Sequence, residues 1–217
     1  MSMSVASLGH STVRLAGPDG VVVIDPGVLA PPAAFEDVAA YLITHDHDDH
    51  VDGGRIASAL AAQPSARVLA PQVVIDKLLA AGVEARQLET ATADTVFEVA
   101  GLTVRAVVGE HAAIYPTLPD SPNVAYLIDR RILHPGDAFP ALPDGTALDV
   151  LFLPVSGPWM RYADAVDYVA ETRPDLVVPI HDGDLNDIGR TLTDQLAGLL
   201  PETVRYQRLD VGVPVTV

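Results

Sequence analysis

The chain has 217 residues, enough for one domain or two small ones, and 49% of them are hydrophobic. Aromatic residues make up only 5%, so Val, Leu, Ile and Ala must fill most of the core, and with no cysteine there is no disulfide, thiolate metal site or cysteine nucleophile. Acidic residues outnumber basic ones 29 to 13, a formal net charge of −16, which argues against a general polyanion binder such as a nucleic-acid protein. Residues 1–6 carry no basic region or long apolar run and do not read as a signal peptide. No stretch approaches membrane-spanning length, so no membrane partner and a cytoplasmic location are expected.

In chain order, Ala6–His10 and Thr12–Leu15 read as hairpin strands, with Pro18-Asp19-Gly20 turning into a buried strand Val21–Asp25. Tyr41–Thr44 reads as another short strand. Further strands are predicted at Val68–Ala70, Leu102–Val108, Asn123–Asp129, Arg131–His134, Val150–Pro154 and Leu176–Ile180, with a final edge strand at Val211–Val217. Helical patterns fall at Ile56–Ala62, Val73–Ala81, Tyr162–Glu171 and Asp187–Leu200. Gly82 should stop the second helix and Arg173-Pro174 the third. Strands and helices do not alternate cleanly. Two sheets with helices on their outer faces fit better than one parallel sheet. No linker divides the chain, so a single domain over 1–217 is expected, with Pro116–Pro122 as an irregular surface loop.

The most informative stretch is His45-Asp46-His47-Asp48-Asp49-His50, three imidazoles and three carboxylates in succession. These are the nitrogen and oxygen ligands of zinc and its neighbours. The run begins where a strand ends and leads into a helix, a setting in which a rigid scaffold carries a chemically free loop. Three later places repeat the pattern of a possible ligand just past an apolar run: His111, Asp137 and His181. Together these strand ends would supply ligands for two ions. His134, alternating with Leu133, reads instead as filler of a half-buried position.

His45-x-His47-x-Asp49-His50, followed by His111, Asp137 and His181, resembles the signature of the metallo-β-lactamase fold hydrolases, in the order that superfamily uses. Leu8-Gly9-His10-Ser11, Val23-Ile24-Asp25-Pro26-Gly27, His134-Pro135-Gly136-Asp137 and Leu153-Pro154-Val155-Ser156-Gly157 are similar to motifs of its compact bacterial branch, related to ascorbate-6-phosphate lactonase. The resemblance implies an α/β fold, a four-layer αββα sandwich. It implies that His45, His47 and His111 hold a first divalent ion, that Asp49, His50 and His181 hold a second, and that Asp137 bridges them. Asp46 and Asp48 fall at its variable positions. Zinc is the first expectation, with manganese or iron also suited to nitrogen and oxygen ligands.

The implied activity is hydrolysis of a small ester or lactone by hydroxide held between two ions roughly 3.5–4 Å apart. Asp49 would orient the hydroxide and pass on its proton, and His10 would line the site as a second catalytic residue. Asp25 is the candidate to fix a ligating histidine, the alternative being a plain turn. Tyr115, Trp159 and Tyr162 are candidates to contact the substrate. In the segments expected to flank the pocket, Tyr115–Asn123 and Ser156–Tyr162, Arg161 is the only basic residue, less positive charge than a sugar phosphate would want. The expected partner is a small-molecule substrate, with a homo-oligomer as a further expectation. The alternatives are a phosphodiesterase or thioesterase on the same site, a mononuclear iron redox or sulfur-transfer enzyme, and a non-enzymatic metal-binding protein.

Overall fold

The computed structural model describes residues 3–118 and 121–217. The chain forms two seven-stranded mixed sheets packed face to face. The first holds β1 (Ser4–Ser7), β2 (Val13–Gly17), β3 (Gly20–Ile24), β4 (Ala40–Leu42), β5 (Arg67–Ala70) and β6 (Leu88–Thr90), with the last strand, β14 (Val215–Thr216), on the free edge of β1. The second holds β7 (Val96–Val99), β8 (Leu102–Glu110), β9 (Pro122–Ile128), β10 (Ile132–His134), β11 (Val150–Pro154), β12 (Leu176–Ile180) and β13 (Arg205–Tyr206) in that spatial order.

Alternation along the strands explains the layers. Side chains two apart share a face. Val22 and Ile24 of β3, Tyr126 and Ile128 of β9, Phe152 of β11 and Val178 and Ile180 of β12 point into the space between the sheets. Their neighbours point outward. Val23, Tyr41 and Val68 pack under α1 (Gly53–Ala62) and α2 (Gln72–Ala80). Leu127, Leu151, Leu153 and Val177 pack under α3 (Tyr162–Thr172). Both faces are covered, which is why these strands read as unbroken apolar runs. The result is the αββα sandwich of the metallo-β-lactamase fold.

Several boundaries differ from the sequence reading. The first strand stops at Ser7, because Gly9 and His10 turn with φ of 95° and 49° and Thr12 N–H closes onto the Gly9 carbonyl. Asp25, expected as a strand end, is likewise left-handed, with φ 50°. The last helix, α4 (Asp187–Leu196), ends early and gives way to a tighter turn over Ala197–Leu199. The final strand is only Val215–Thr216. β6, β7 and β13 were not foreseen; they are short, and none has the long apolar run that marks the central strands. Of the loop expected at Pro116–Pro122, residues 119 and 120 lie outside the described residues, and Pro122 opens β9.

Strand direction decides where the chemistry collects. β1 and β2, and β2 and β3, are antiparallel, while β3 and β4 run parallel, so β1, β3 and β4 end on the same side. In the other sheet β8 and β10 both run antiparallel to β9, and β10, β11 and β12 are parallel. Their C-terminal ends share one rim. Two cross-links close it: Val124 N–H donates to the Thr44 carbonyl at 2.8 Å, and Tyr126 Oη donates to the Ile43 carbonyl at 2.9 Å.

The histidine-rich loop is clamped from below. A Cβ on Gly27 would lie 1.9 Å from the Asp49 carbonyl oxygen. Asp52 caps α1 through the Arg55 N–H at 3.0 Å, and the Arg55 guanidinium reaches the carbonyls of Ala30 at 2.7 Å and Gly27 at 2.8 Å. Gly27→Ala is therefore expected to cost about 1–3 kcal/mol of stability by overpacking. Gly54→Ala, with only the Asp52 carboxylate as near as 3.6 Å, should be neutral or stabilising. Urea unfolding of both variants separates the two outcomes.

Candidate metal centre

The residues expected as ligands all arrive at the common rim. His45, His47, Asp49 and His50 follow β4, His111 follows β8, Asp137 follows β10, and His181 follows β12. His10 follows β1 and Asp25 follows β3. His45 and His50 are fully buried, and Asp137 is 2% exposed. Asp49, its side chain 36% exposed, and His47 are the half-buried members.

Hydrogen bonds leave bare nitrogens pointing inward. His50 Nδ1 donates to Asp25 Oδ2 at 2.8 Å. His45 Nδ1 donates to Thr44 Oγ1 at 2.9 Å, and that hydroxyl donates to Asp25 Oδ2 at 2.7 Å. His111 Nδ1 donates to the Ala112 carbonyl at 2.7 Å. With the proton held on Nδ1, Nε2 of each ring keeps its lone pair. His50 Nε2, His111 Nε2, His181 Nε2 and Asp137 Oδ1 are buried without a hydrogen-bond partner. Buried polar atoms are rarely left so. A divalent cation accepting their lone pairs accounts for all of them, and the nitrogen–oxygen donor set fits zinc, manganese or iron.

Two groups of donors can each hold an ion. One is His45, His47, His111 and Asp137; the other is His10, Asp49, His50 and His181. Geometry argues against His10 as a ligand. Its Nδ1 accepts the Gly183 N–H at 3.1 Å, so the proton sits on Nε2 and donates to Asp49 Oδ2 at 3.0 Å. Asp137 can instead complete the second group. Its Oδ1 is 3.3 Å from His50 Nε2, and its Oδ2 is 3.0 Å from His181 Nε2, 3.3 Å from His111 Nε2 and 3.8 Å from His45 Nε2. One carboxylate thus touches both half-sites.

The local field suits cations. Burial opposes charge on Asp137, but the charge of His50 and the close imidazoles of His111 and His181 hold its pKa well below the usual carboxylate range. Burial likewise opposes charge on Asp49, and the His10 hydrogen bond with the charge of His50 overcomes it, again lowering the pKa. Burial and neighbouring imidazoles, His50 for the one and His111 for the other, push His45 and His47 below the ordinary histidine value, keeping them neutral. His50 goes the other way. Against burial, Asp137 and Asp25 on its two sides raise its pKa well above normal. A cation at Nε2 would answer the same field that otherwise draws a second proton.

The remaining residues divide cleanly. His134 is fully buried rather than half-buried, and both nitrogens are engaged: Nε2 with the Ser11 carbonyl at 2.9 Å and Nδ1 with the Gly136 N–H at 3.3 Å. Asp46 accepts from Ser121 Oγ, and Asp48 pairs with Lys77 at 2.7 Å. Trp159 reaches the cluster, its indole Nε1 donating to Asp137 Oδ2 at 3.0 Å. Tyr162 Oη bonds the Thr193 carbonyl instead, and Tyr115 stands exposed on the loop after His111. Sequence reasoning passed over Thr44, Asn123 and Gly136. A Cβ on Gly136 would lie 2.3 Å from Asn123 Oδ1, the atom that accepts the Asp137 N–H at 3.1 Å. The Pro-Gly-Asp spacing was the only signal for this contact.

Residues 4–181 match the model of a family described as a β-lactamase superfamily domain. The chain belongs to that superfamily. Among its relatives is Protein Rv0786c of Mycobacterium tuberculosis, 35% identical over 187 residues, covering 82% of this chain and 84% of the relative. Another is the UPF0173 metal-dependent hydrolase PYRAB05000 of Pyrococcus abyssi, 27% identical with 82% and 84% covered. The structure of Igni18, a metallo hydrolase from Ignicoccus hospitalis, shares the fold with a TM-score of 0.72 at 20% identity, covering 100% of this chain and 99% of that one.

A cavity of about 480 Å³ lies away from this rim and is lined by Met3, Gly17, Leu102, Ile132 and Val217 among others. It holds no ligand cluster. The mouth of the metal centre has a smaller slot of about 60 Å³ between His47, His111 and the loop residues Ala112, Ile114, Tyr115 and Leu118.

Asp25→Asn keeps the shape but removes the charge that orients His50 and Thr44, and it is expected to weaken zinc binding about 10–100-fold. Asp46→Ala, which loses only the Ser121 contact, should change zinc binding far less. Zinc retained after dialysis against a chelator series distinguishes the two.

Proposed function

We propose that the protein is a metal-dependent hydrolase that uses two divalent ions, zinc in the first instance, to cleave a small neutral ester or lactone. The observation that carries this reading is Asp137, whose two oxygens lie against the bare nitrogens of both half-sites. His45, His47 and His111 would hold one ion, Asp49, His50 and His181 the other, and Asp137 would be shared. Bound there, two such ions would supply an acidified water and a Lewis acid for the scissile carbonyl.

The side chains supply the rest. Asp49 is the ligand open to the mouth, so it can orient the attacking water and carry its proton to the leaving alkoxide. The His10 N–H on Oδ2 holds that carboxylate ionised and fixes its orientation. Asp25, through Thr44 and His50, keeps two rings in the tautomer that leaves Nε2 free. His134 packs beneath them and takes no part in the chemistry.

A neutral substrate is favoured by what surrounds the mouth. Ile114, Tyr115 and Leu118 are exposed and largely apolar there. The cations of the neighbouring segments are already engaged: Lys77 with Asp48, and Arg161 with Asp164 at 2.6 Å. A phosphate group would find no ready clamp, which places a phosphodiester behind a carboxylic ester. The same small-molecule reading leaves nucleic acid and membrane aside.

Elemental analysis of protein purified without chelator is expected to give two ions per chain, and EDTA should abolish turnover that zinc restores. Asp137→Ala should lose both ions and all activity. With p-nitrophenyl acetate and butyrate, γ-butyrolactone and bis(p-nitrophenyl) phosphate as probes, the carboxylic substrates should react faster. One iron per chain with no esterase activity would move the reading to redox or sulfur chemistry.

A further inference from the structure

We propose that Trp159 is a positioning residue for Asp137, and that its indole N–H sets how tightly the chain holds its ions. The inference rests on the metal reading of the cluster and adds a residue from outside the ligand set.

The backbone on either side of Asp137 is pinned. Its N–H donates to Asn123 Oδ1 at 3.1 Å, and its carbonyl accepts the Ala112 N–H at 2.9 Å. Neither contact fixes rotation of the carboxylate itself. Around that carboxylate lie His45, His50, His111 and His181, all candidate ligands whose nitrogens would face ions rather than Asp137. The contact from outside this set is Trp159 Nε1, 3.0 Å from Oδ2. Hydrogen bonds to a charged acceptor are the strong ones, and strongest where water is excluded.

The ring is placed with equal care. It stands edge-on to His111 at 5.6 Å and to His181 at 5.9 Å, one ring from each half-site, and packs against Phe139 at 6.1 Å. Gly157 makes room for it. With φ at 146°, a Cβ there would lie 2.7 Å from Trp159 Nε1. The turn from β11 into α3 is thus shaped around the indole and delivers its N–H to the shared carboxylate. Asp137 is held in its binding rotamer before either ion arrives, so ion binding need not order it.

The test uses the full chain, zinc alone as probe, and two variants. Trp159→Phe keeps the ring and deletes the N–H. Gly157→Ala keeps the N–H and displaces the indole. Zinc affinity is read by competition with a chromophoric chelator, beside the urea midpoint of the zinc-free protein. Both variants are expected to bind zinc about tenfold more weakly or worse, with the midpoint little changed in Trp159→Phe and lowered in Gly157→Ala, where φ of 146° strains any side chain. Trp159 is the sole tryptophan, so wild-type emission should also change on zinc addition and saturate at the bound stoichiometry. Affinities within twofold of wild type in both variants would overturn the proposal. So would an affinity loss in Trp159→Phe matched by a lower zinc-free midpoint, or wild-type emission indifferent to zinc. A wild-type protein that takes up no zinc removes the metal reading and this inference with it.

Discussion

A carboxylate buried out of water must be held by hydrogen-bond donors, and Asp25, with no exposed surface, holds three. The Thr44 backbone N–H, the Thr44 hydroxyl and His50 Nδ1 all donate to it at 2.7–2.8 Å. Those donors belong to the end of β4 and to the far end of the histidine-rich loop. One acid at the end of β3 therefore fixes both limits of that loop. Through the Thr44 hydroxyl it also governs His45. Remove the charge and the rings lose what selects their tautomer, while the backbone of the loop loses its anchor to the sheet.

The same site shows where the fold accepts strain. His10, Asp25 and His181 all adopt left-handed backbone, with φ of 49°, 50° and 57°. Such positions cost roughly 1–3 kcal/mol each and persist only where surrounding contacts over-determine them. Here the contacts are visible. The His181 N–H donates to the His10 carbonyl at 3.1 Å, so two strained residues from different sheets brace each other. Gly183 then sends its N–H to the His10 ring. Left-handed turns at the strand ends swing these side chains out of the sheet planes and into the space between the two rims.

Charge follows the same economy of placement. The chain carries a large acidic excess, yet the acids near the ligand loop have separate duties. Asp46 and Asp48 tie the loop to Ser121 and Lys77, Asp52 caps the following helix, and Asp25 orients the rings. Among the described residues, Asp49 and Asp137 are the acids that face the bare imidazole nitrogens. Of the three acids in the run His45–His50, one thus faces the ligand nitrogens and two anchor the loop, and their places along an irregular loop decide which is which.

Much of this was legible in the chain itself. The doubly buried strands announced themselves as unbroken Val, Ile and Leu runs, since a strand covered on both faces has no polar alternation to show. The ligand types and their positions after those runs were equally plain, because imidazole and carboxylate donors clustered at strand ends have few other uses. What the sequence could not decide depended on distance between remote segments. It took tertiary structure to make Thr44 a relay between Asp25 and His45, and to put the Gly183 N–H on His10 so that its other nitrogen donates to Asp49. Gly27 and Gly136 were visible only as turn residues, until folding brought Asp49 and Asn123 within contact of where a Cβ would stand. Trp159 looked like one aromatic among several, and a hydrogen bond to an acid 22 residues earlier has no local pattern. Periodicity reports what a residue's own strand or helix buries. The partner waiting on the opposite sheet is set only when the two rims meet.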